Sequence, residues 1–210
     1  MTKVVTVETM RKSDAYTIEH FVDSKTLMLR AGTAIFDSVK WNDPVGIIAG
    51  KGNNAGDGFV LARLLQQEGY EVDIVLLEEK FSEDGKYYYD ICKEHGMPII
   101  LYDDSVSLKS YATIVDCLLG TGFSGEVKEP MKSLINRINE SNAYIVSADI
   151  NSGLNGDTGL GTTFVKSDLT VSIGTYKFGH FIGLANEAMK DKVNCDIGIE
   201  IIGEIQEIDY

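Results

Sequence analysis

Short runs of apolar and β-branched residues recur along this chain, and segments with helical spacing separate most of them. The runs lie at 45–49, 72–77, 97–101, 112–118, 144–148, 169–173 and 193–197. Between them, the segments at 58–69 and 131–140 repeat their apolar residues every three or four positions. Continuous apolar strands that alternate with helices indicate a parallel sheet covered on both faces. Because crossovers in such sheets are right-handed, we predict an α/β fold: a three-layer αβα, doubly wound, mostly parallel, Rossmann-like sheet.

Two further helices are predicted before the first strand, at 13–21 and 24–38. Ser13 and Ser24 are the candidate caps, and Asp14 and Asp23 suit the starts of helices. Because these helices precede the alternating unit, we expect them to pack on its outside or against a partner chain. The length of 210 residues is enough for one core, so we expect a single domain over 1–210.

Composition bears on which partners this chain binds and in which compartment it is found. The chain has 19 Lys and Arg against 32 Asp and Glu, a formal net charge of −13. An acidic surface repels nucleic acid and anionic membranes. No apolar run approaches the ~20 residues of a membrane helix, and the polar first dozen residues show no secretory signal. Cys92, Cys117 and Cys195 form no CxxC pair, which predicts free thiols in a reducing, cytoplasmic compartment.

The first apolar run is followed by a glycine-rich segment at 50–58, with the sequence GKGNNAGDG. Glycines allow positive φ and a close approach of a ligand to the backbone. The free N–H groups at the start of the next helix favour an anion, typically a phosphate. This segment therefore predicts a nucleotide or phosphate cradle.

Two interpretations of this segment stay open. Gly50, Gly52 and Ala55 formally satisfy the dinucleotide fingerprint, and Glu78 stands where a ribose-binding acid is expected. Against that, Asp57 would bring a carboxylate to the helix start that should receive pyrophosphate, and the amide oxygens at 53–54 are good ligands for a hard cation. Asp57 itself is either a substrate contact or a helix cap.

Two other predicted strands also end in polar residues. Asp116 interrupts an apolar run and is followed by the sequence GTGFSGE at 120–126, while Asp149 and Ser152 follow the next run. A buried carboxylate must be paired or must hold a cation, although Asp116 could instead cap a neighbouring loop. Ligands of open α/β sheets bind beyond the carboxyl ends of the strands. The three clusters are therefore expected to converge on one rim and to form a site.

Later in the chain, Lys177 follows the run at 169–173. It is either a phosphate contact or, more commonly, a solvated loop lysine. His180 is a candidate for the rim, whereas His20 and His95 are expected on helices, and no zinc site is expected. The tyrosines at 87–89 are expected to pack in a helix.

Five short motifs occur in a characteristic order. They are MRKSD at 10–14, NNAGDG at 53–58, DCLLGTG at 116–122, DINSG at 149–153 and YKFG at 176–179. Together they resemble the NAD(P)H-hydrate epimerase family, whose members invert damaged, hydrated nicotinamide cofactors. The resemblance covers nearly the whole chain.

The resemblance implies a set of site residues. Substrate contacts are implied for Asn53, Asn54, Ala55, Gly56 and Asp57, for Gly120, Thr121, Gly122, Phe123, Ser124, Gly125 and Glu126, and for Asp149. Lys177 joins them as the candidate phosphate contact. The resemblance also implies one potassium ion per subunit, held by Asn54, Asp116 and Ser152, whose oxygen atoms suit a hard cation. Asp149 is the expected catalytic residue, which assists proton transfer at the hydroxyl-bearing ring carbon.

The implied activity is epimerisation of the R and S forms of hydrated NADH and NADPH (NADHX and NADPHX). The alternative is a catalytically silent nucleotide-binding or protein-interaction module of the same fold. A dehydrogenase would need a further substrate domain, for which the chain has no space. The resemblance also implies a homodimer through the N-terminal helices, and a separate ATP- or ADP-dependent dehydratase. No nucleic acid or membrane partner is expected.

Three positions depart from the family pattern. The family usually has proline where this chain has Asn151, so a less rigid backbone is expected near Asp149. Leu29 replaces a common glutamate in the second helix, which bears on the expected subunit contact. Ala55 replaces a common glycine, a mild change.

Overall fold

The computed structural model describes residues 1–209, and a parallel sheet between two layers of helices forms its centre. The strands are β1 (Thr2–Val5), β2 (Val45–Ala49), β3 (Val72–Leu76), β4 (Ile99–Leu101), β5 (Thr113–Cys117), β6 (Tyr144–Ala148), β7 (Ser167–Ile173), β8 (Tyr176–Lys177), β9 (Met189–Cys195) and β10 (Gln206–Ile208). The helices are α1 (Val7–His20), α2 (Ser24–Ser38), α3 (Asn53–Gln67), α4 (Glu83–Glu94), α5 (Met131–Asn139) and the short α6 (Ala185–Ala188). A single 3-10 turn, Phe178–His180, follows β8.

The central sheet has seven strands in the order β4-β3-β2-β5-β6-β7-β9, and every neighbouring pair is parallel. The chain fills the sheet in one direction from β2 to β4 and then in the other from β5 to β9. The direction of winding therefore reverses between β2 and β5, where open α/β sheets place their ligands. The predicted doubly wound parallel sheet is confirmed.

The two faces of the sheet carry separate apolar layers. Ile47 and Ile48 are consecutive in β2, so their side chains point to opposite faces. Ile47 packs in a cluster with Phe59 of α3, and Ile48 packs in another with Leu134 of α5. Each of these fully buried side chains contributes roughly 1.5–3 kcal/mol by leaving water. The helices thus cover both faces, as the continuous apolar runs predicted.

The predicted start of the first helix is wrong. Helix α1 begins at Val7, and Thr6 caps it by accepting a hydrogen bond from Thr9 N at 3.0 Å. Ser13 lies buried in the middle of α1 and donates to Thr9 O. The range of α2 is as predicted, but its cap is Asp23, which accepts from Thr26 N. Both real caps have extended backbone and a short side-chain oxygen, which is the combination a helix start requires.

Three short strands form a second sheet that the apolar pattern did not reveal. Its order is β10-β1-β8, and it joins the two ends of the chain to the segment after β7. The last strand of the central sheet also differs from its prediction, since β9 covers Met189–Cys195 rather than 193–197. It begins and ends earlier because its register is set by pairing with β7. At one end of this pairing Ser167 lies opposite Met189, and at the other end Ile173 lies opposite Cys195.

The other compositional observations agree with this architecture. Over residues 1–209, no helix is both long and apolar enough to cross a bilayer. All three cysteines are free thiols, two of them buried.

Candidate active site

A pocket of about 490 Å³ lies at the carboxyl ends of β2, β5 and β6. Its polar wall is formed by Asn53, Asn54, Asp57, Gly120, Thr121, Asp149 and Lys177. The three predicted clusters therefore do converge on one rim. Apolar side chains line the rest of the pocket and come from α1, α2, the end of β7 and the segment after β9; they include Met10, Leu27, Met28, Ile173, Ile197 and Ile199. A pocket with one apolar wall and convergent polar groups is typical of a small-molecule site.

Asp149 occupies the centre of the polar wall in an unusual backbone conformation. Its φ is +64°, the single positive value at a non-glycine residue within 1–209. Strain of this kind persists where surrounding contacts fix it, and it concentrates at functional sites. Here Asp149 N donates to Val171 O at 2.8 Å, and the carboxylate accepts from Thr121 N at 3.0 Å. The left-handed turn therefore presents the Asp149 side chain to the pocket.

Lys177 holds the other oxygen of this carboxylate. Its Nζ lies 2.7 Å from Asp149 Oδ1 and also donates to Ile173 O at 2.8 Å. The side chain is only 1% exposed, so the interpretation of Lys177 as a solvated loop lysine is wrong. Burial would raise the pKa of Asp149, but the Lys177 ammonium and the Thr121 N–H outweigh it, so the pKa of Asp149 is lowered. Asp149 is accordingly ionised at neutral pH.

The pKa of Asp57 is shifted in the opposite direction. Helix α3 begins at Asn53, with Gly52 (φ +95°) before it, so Asp57 is the fifth residue of the helix and the cap interpretation is wrong. Burial raises the pKa of Asp57 well above its ordinary value, and the nearby carboxylates of Asp149 and Asp14 add to the shift. Lys177 opposes this shift without reversing it. Asp57 is therefore harder to ionise than an ordinary aspartate, and it lines the same pocket as the ionised Asp149.

Asp116 lies beneath the pocket and organises the loops around it. It is fully buried and accepts four hydrogen bonds: from Ser147 Oγ, from the backbone N and Oγ of Ser152, and from Leu118 N. Burial raises the pKa of Asp116, and these four donors oppose the rise. The carboxylate thus caps the loops after β5 and β6, as one of the two sequence interpretations proposed.

Asn54 stands next to this cluster with half of its amide unsatisfied. Its Nδ2 donates to Leu119 O at 3.0 Å and to Ala148 O at 3.3 Å, while its buried Oδ1 has no hydrogen-bond partner. A buried oxygen without a donor costs free energy and calls for an explanation. Together with two backbone carbonyls and the Ser152 hydroxyl, it gives a set of oxygen atoms that fits a hard cation.

The other predicted contacts lie at the margin of the pocket. The side chain of Ala55 and the Cα of Gly56 are buried in α3, where Gly56 packs against Met28 of α2. Gly122 and Phe123 line the pocket, whereas Ser124, Gly125 and Glu126 are exposed beyond it. Glu78 forms an exposed ion pair with Lys51 at 3.7 Å, at the edge of this rim.

Sequence reasoning missed Asp14 as a site residue. It lines the pocket on the same face of α1 as Val7, Met10 and Ile18, residues spaced three or four apart. The wrong helix start hid this spacing, because it placed Asp14 in a first turn. Burial raises the pKa of Asp14 to about 6; the Lys177 ammonium lowers it and the Asp149 carboxylate raises it. A third carboxyl group therefore faces Lys177.

We expect the substitution Asp14→Asn to stabilise the protein at neutral pH. Since the folded pKa of Asp14 is raised from 3.8 to about 6, the folded state binds more protons than the unfolded state in that window. The stability of the wild type therefore falls as pH rises from about 4 to about 6, and asparagine removes this loss. Urea unfolding should give a gain of about 1–3 kcal/mol at about pH 7.5 that vanishes near pH 4. An equal gain at both pH values would contradict the account.

Asn151, the position where the family usually has proline, is tightly held rather than loose. Its buried Nδ2 lies within 3.0 Å of Val165 O, Ser167 Oγ and Ala188 O, and its Oδ1 accepts from Thr170 Oγ1 at 2.6 Å. These contacts tie the loop after β6 to β7 and to the segment before β9. The expectation of a less rigid backbone near Asp149 is therefore not met, because the side-chain amide provides the anchoring.

Comparison with known proteins shows the family to which this chain belongs. The family model for the YjeF-related protein N-terminus matches residues 24–179. A NAD(P)H-hydrate epimerase from Lentilactobacillus buchneri is 37% identical over 85% of this chain and 86% of its own. A bifunctional NAD(P)H-hydrate repair enzyme, Nnr, from Coxiella burnetii is 36% identical over 81% of this chain, which spans only 36% of that relative.

A solved structure shows the same fold. The yeast protein ynu0 (YNL200c) has a TM-score of 0.79 and 22% identity, over 98% of this chain and 99% of the yeast chain. The structural match covers 98% of the chain, and the family model covers the pocket motifs at 53–58, 116–122, 149–153 and 176–179. On these grounds, the chain belongs to the NAD(P)H-hydrate epimerase family.

Proposed function

We infer that this chain interconverts the R and S forms of hydrated NADH and NADPH, and is thus an isomerase of nicotinamide cofactor repair. The observation that carries this inference is the pocket at the switch point, where Lys177 and Thr121 N hold the Asp149 carboxylate and Asp57 lines the same wall. Relatives of similar length, from Lentilactobacillus buchneri and Weissella koreensis, bear the name NAD(P)H-hydrate epimerase.

The substrate needs acid–base help and no redox chemistry. Its hydroxyl group sits on a ring carbon beside the ring nitrogen. If the hydroxyl takes a proton from an acid and leaves as water, the nitrogen lone pair forms an iminium cation. Water then adds to the other face and gives up a proton, which restores the acid and inverts the carbon. Atoms and charge balance over the cycle.

The two carboxyl groups suit the two halves of this cycle. Asp57, whose pKa is raised, is the proposed donor to the departing hydroxyl. Asp149, which is ionised, stabilises the cation and accepts the proton of the incoming water. That proton then returns from Asp149 to Asp57, so both groups regain their starting states.

In the ring-opening route, Asp149 instead removes the hydroxyl proton as the carbon–nitrogen bond breaks, and the ring nitrogen takes up a proton. Reclosure on the other face of the carbonyl reverses both proton transfers. Lys177 keeps Asp149 ionised in either route. The pocket-lining residues Asn53 and Asn54 and the loop at 120–123 supply the contacts to the rest of the substrate.

The rival proposal is a silent nucleotide-binding or interaction module. It predicts binding of hydrated cofactor with no acceleration of the interconversion. The arrangement of Asp57, Asp149 and Lys177 favours the enzyme, since a binding surface would have no need to bury an ion pair together with a second carboxyl group whose pKa is raised.

We propose that one potassium ion per subunit binds at Asn54, Asp116 and Ser152. The support is the unpartnered Asn54 Oδ1 beside the buried Asp116 carboxylate. When bound, the ion would bring positive charge to a site that must accept an anionic dinucleotide. The residues themselves order the loops after β5 and β6, which form the floor of the pocket.

Potassium is expected to stabilise the protein by a measurable amount. At a concentration of about ten times Kd, a bound ion adds roughly 1.4 kcal/mol. That corresponds to a rise in Tm of about 3–6 °C for a chain of this size. Thermal unfolding in potassium chloride and in choline chloride at equal ionic strength measures it. Asp116→Asn keeps the size of the side chain and should abolish the difference; a difference that survives this substitution would place the ion elsewhere.

We also propose a homodimer, a cytoplasmic location and a separate dehydratase as functional partner. Exposed apolar residues of the N-terminal helices, Ile18, Leu29 and the adjacent Phe21, support a subunit contact there. The free thiols support a reducing compartment. The longer relatives named bifunctional NAD(P)H-hydrate repair enzymes support a second repair activity as functional partner.

A further inference from the structure

His180 is a buried group that the chemistry above does not use. Its side chain is fully buried in the 3-10 turn after β8, and its ring packs edge-on against Tyr176, with centroids 5.4 Å apart. Its imidazole lies between two backbone groups. Nε2 is 2.8 Å from Asp149 O, and Nδ1 is 3.1 Å from both the N and the O of Lys177. One ring therefore bridges the two residues that form the ion pair of the pocket.

The partners fix the tautomer of this imidazole. A carbonyl oxygen can only accept, so Nε2 carries the proton and donates to Asp149 O. Because a neutral ring carries one proton, Nδ1 is then unprotonated, and it accepts from Lys177 N rather than donating to Lys177 O. Burial lowers the pKa of His180 to about 4, with the Lys177 ammonium acting in the same direction. The imidazole is thus uncharged near pH 7, and its hydrogen bonds to Asp149 O and from Lys177 N are both kept.

The bond to Asp149 O acts where the backbone is strained. The left-handed conformation of Asp149 is unfavourable for a residue with a side chain. Its N–H is fixed by Val171 O, and its carbonyl by His180, so both ends of the turn are held. The other ring nitrogen of His180 fixes the backbone of Lys177. Lys177 lies in β8 and pairs there with Val5 of β1. The His180 ring thus positions both the Asp149 carboxylate and the Lys177 ammonium.

We propose that His180 is a positioning residue, which aligns the Asp149 carboxylate with the substrate by holding the backbones of Asp149 and Lys177 together. The proposal rests on the proposed function, because it requires Asp149 to act in the reaction. His180 itself does not line the pocket and touches no reacting atom.

Two substitutions separate the two hydrogen bonds. His180→Gln can place an amide N–H where Nε2 lies and so keep the donor to Asp149 O. His180→Asn is shorter; it can accept from Lys177 N but leaves Asp149 O without a donor. Because misplacement by about 1 Å can lower turnover about 100-fold, we expect kcat to fall about 10- to 100-fold in the asparagine variant. KM should change less than about threefold, and glutamine should restore most of kcat.

A matched control tests for a merely structural effect. Asn139 also bridges two backbone groups, donating to Phe164 O and accepting from Lys166 N, but it lies outside the pocket. Asn139→Ala should lower Tm without changing kcat. Equal kcat values in His180→Asn, His180→Gln and the wild type would overturn the proposal, as would equal losses in the asparagine and glutamine variants.

The tautomer gives a test that does not depend on the folding of any variant. In the wild type with nitrogen-15-labelled histidine, NMR near pH 7 should show a neutral ring with its proton on Nε2. A proton on Nδ1, or a charged ring, would overturn the proposal. The variant Asp149→Asn distinguishes failure of the positioning role from failure of the proposed function. Full turnover in Asp149→Asn contradicts the role of Asp149. Full turnover in His180→Asn alone contradicts only the positioning role of His180.

Discussion

Replacing Asp149 with asparagine is expected to lower kcat by about 10²–10⁴-fold, the range that a positioned acid–base group contributes. The amide has nearly the shape of the carboxylate and can keep the hydrogen bond from Thr121 N, so substrate contacts remain. It cannot accept a proton or stabilise a cation with a full charge. Initial rates of hydrate interconversion, with binding measured separately, give the test. A variant with full turnover would contradict the assigned role.

The same substitution should also destabilise the fold, and this effect can be separated from catalysis. Lys177 is 1% exposed, and Asp149 is its counter-charge at 2.7 Å. Removing one partner of a buried ion pair costs about 3–5 kcal/mol. In the double variant Asp149→Asn, Lys177→Met no buried charge is left unpaired, so stability in urea should largely return while activity stays lost. Recovery of activity in the double variant would show that Asp149 acts only through the fold.

Replacing Asn151 is expected to have the next largest effect, on stability. Asn151→Ala removes four hydrogen-bond contacts and leaves the carbonyls of Val165 and Ala188 without their donor in the interior. Orphaned buried groups of this kind cost about 1–3 kcal/mol each, so we expect a loss of about 2–4 kcal/mol. That is a fall in Tm of roughly 5–15 °C, measurable by calorimetry.

The family residue should not rescue this position. Asn151→Pro brings back the usual proline, but proline has no side-chain amide for Val165, Ser167 and Ala188. We therefore expect the proline variant to be destabilised about as much as the alanine variant, in the same calorimetric measurement. Wild-type stability with proline would show that the amide network contributes little.

The central sheet was predictable because its strands are buried on both faces. Each such strand reads as a continuous apolar run, and β2, β5 and β6 fell within one residue of their predicted bounds. The convergence of Asp57, Asp116 and Asp149 followed from the same argument, since parallel strands end at one edge. For these strands, the apolar pattern of the sequence was enough to predict both the strands and their arrangement in the sheet.

The remainder depends on contacts between distant residues. The strands β1 and β8 have four and two residues, and Val5 pairs with Lys177 far along the chain, so no periodicity marks them. The burial of Lys177 follows from that pairing, and so does its ion pair with Asp149. Asp14 was missed for a local reason: Thr6 and Ser13 are both acceptable caps, and only the packing of α1 decides between them.

The most direct measurement follows one pure hydrate of NADH by chiral chromatography, with and without the protein, in potassium buffer. Our account predicts conversion toward the mixture of R and S forms well above the spontaneous rate, and no acceleration with Asp149→Asn. It also predicts that the hydrate of NADPH is interconverted faster than its spontaneous rate, since NADPH and NADH share the reacting ring. Folded wild-type protein that binds the hydrate but does not accelerate its interconversion would contradict the account and favour a binding role.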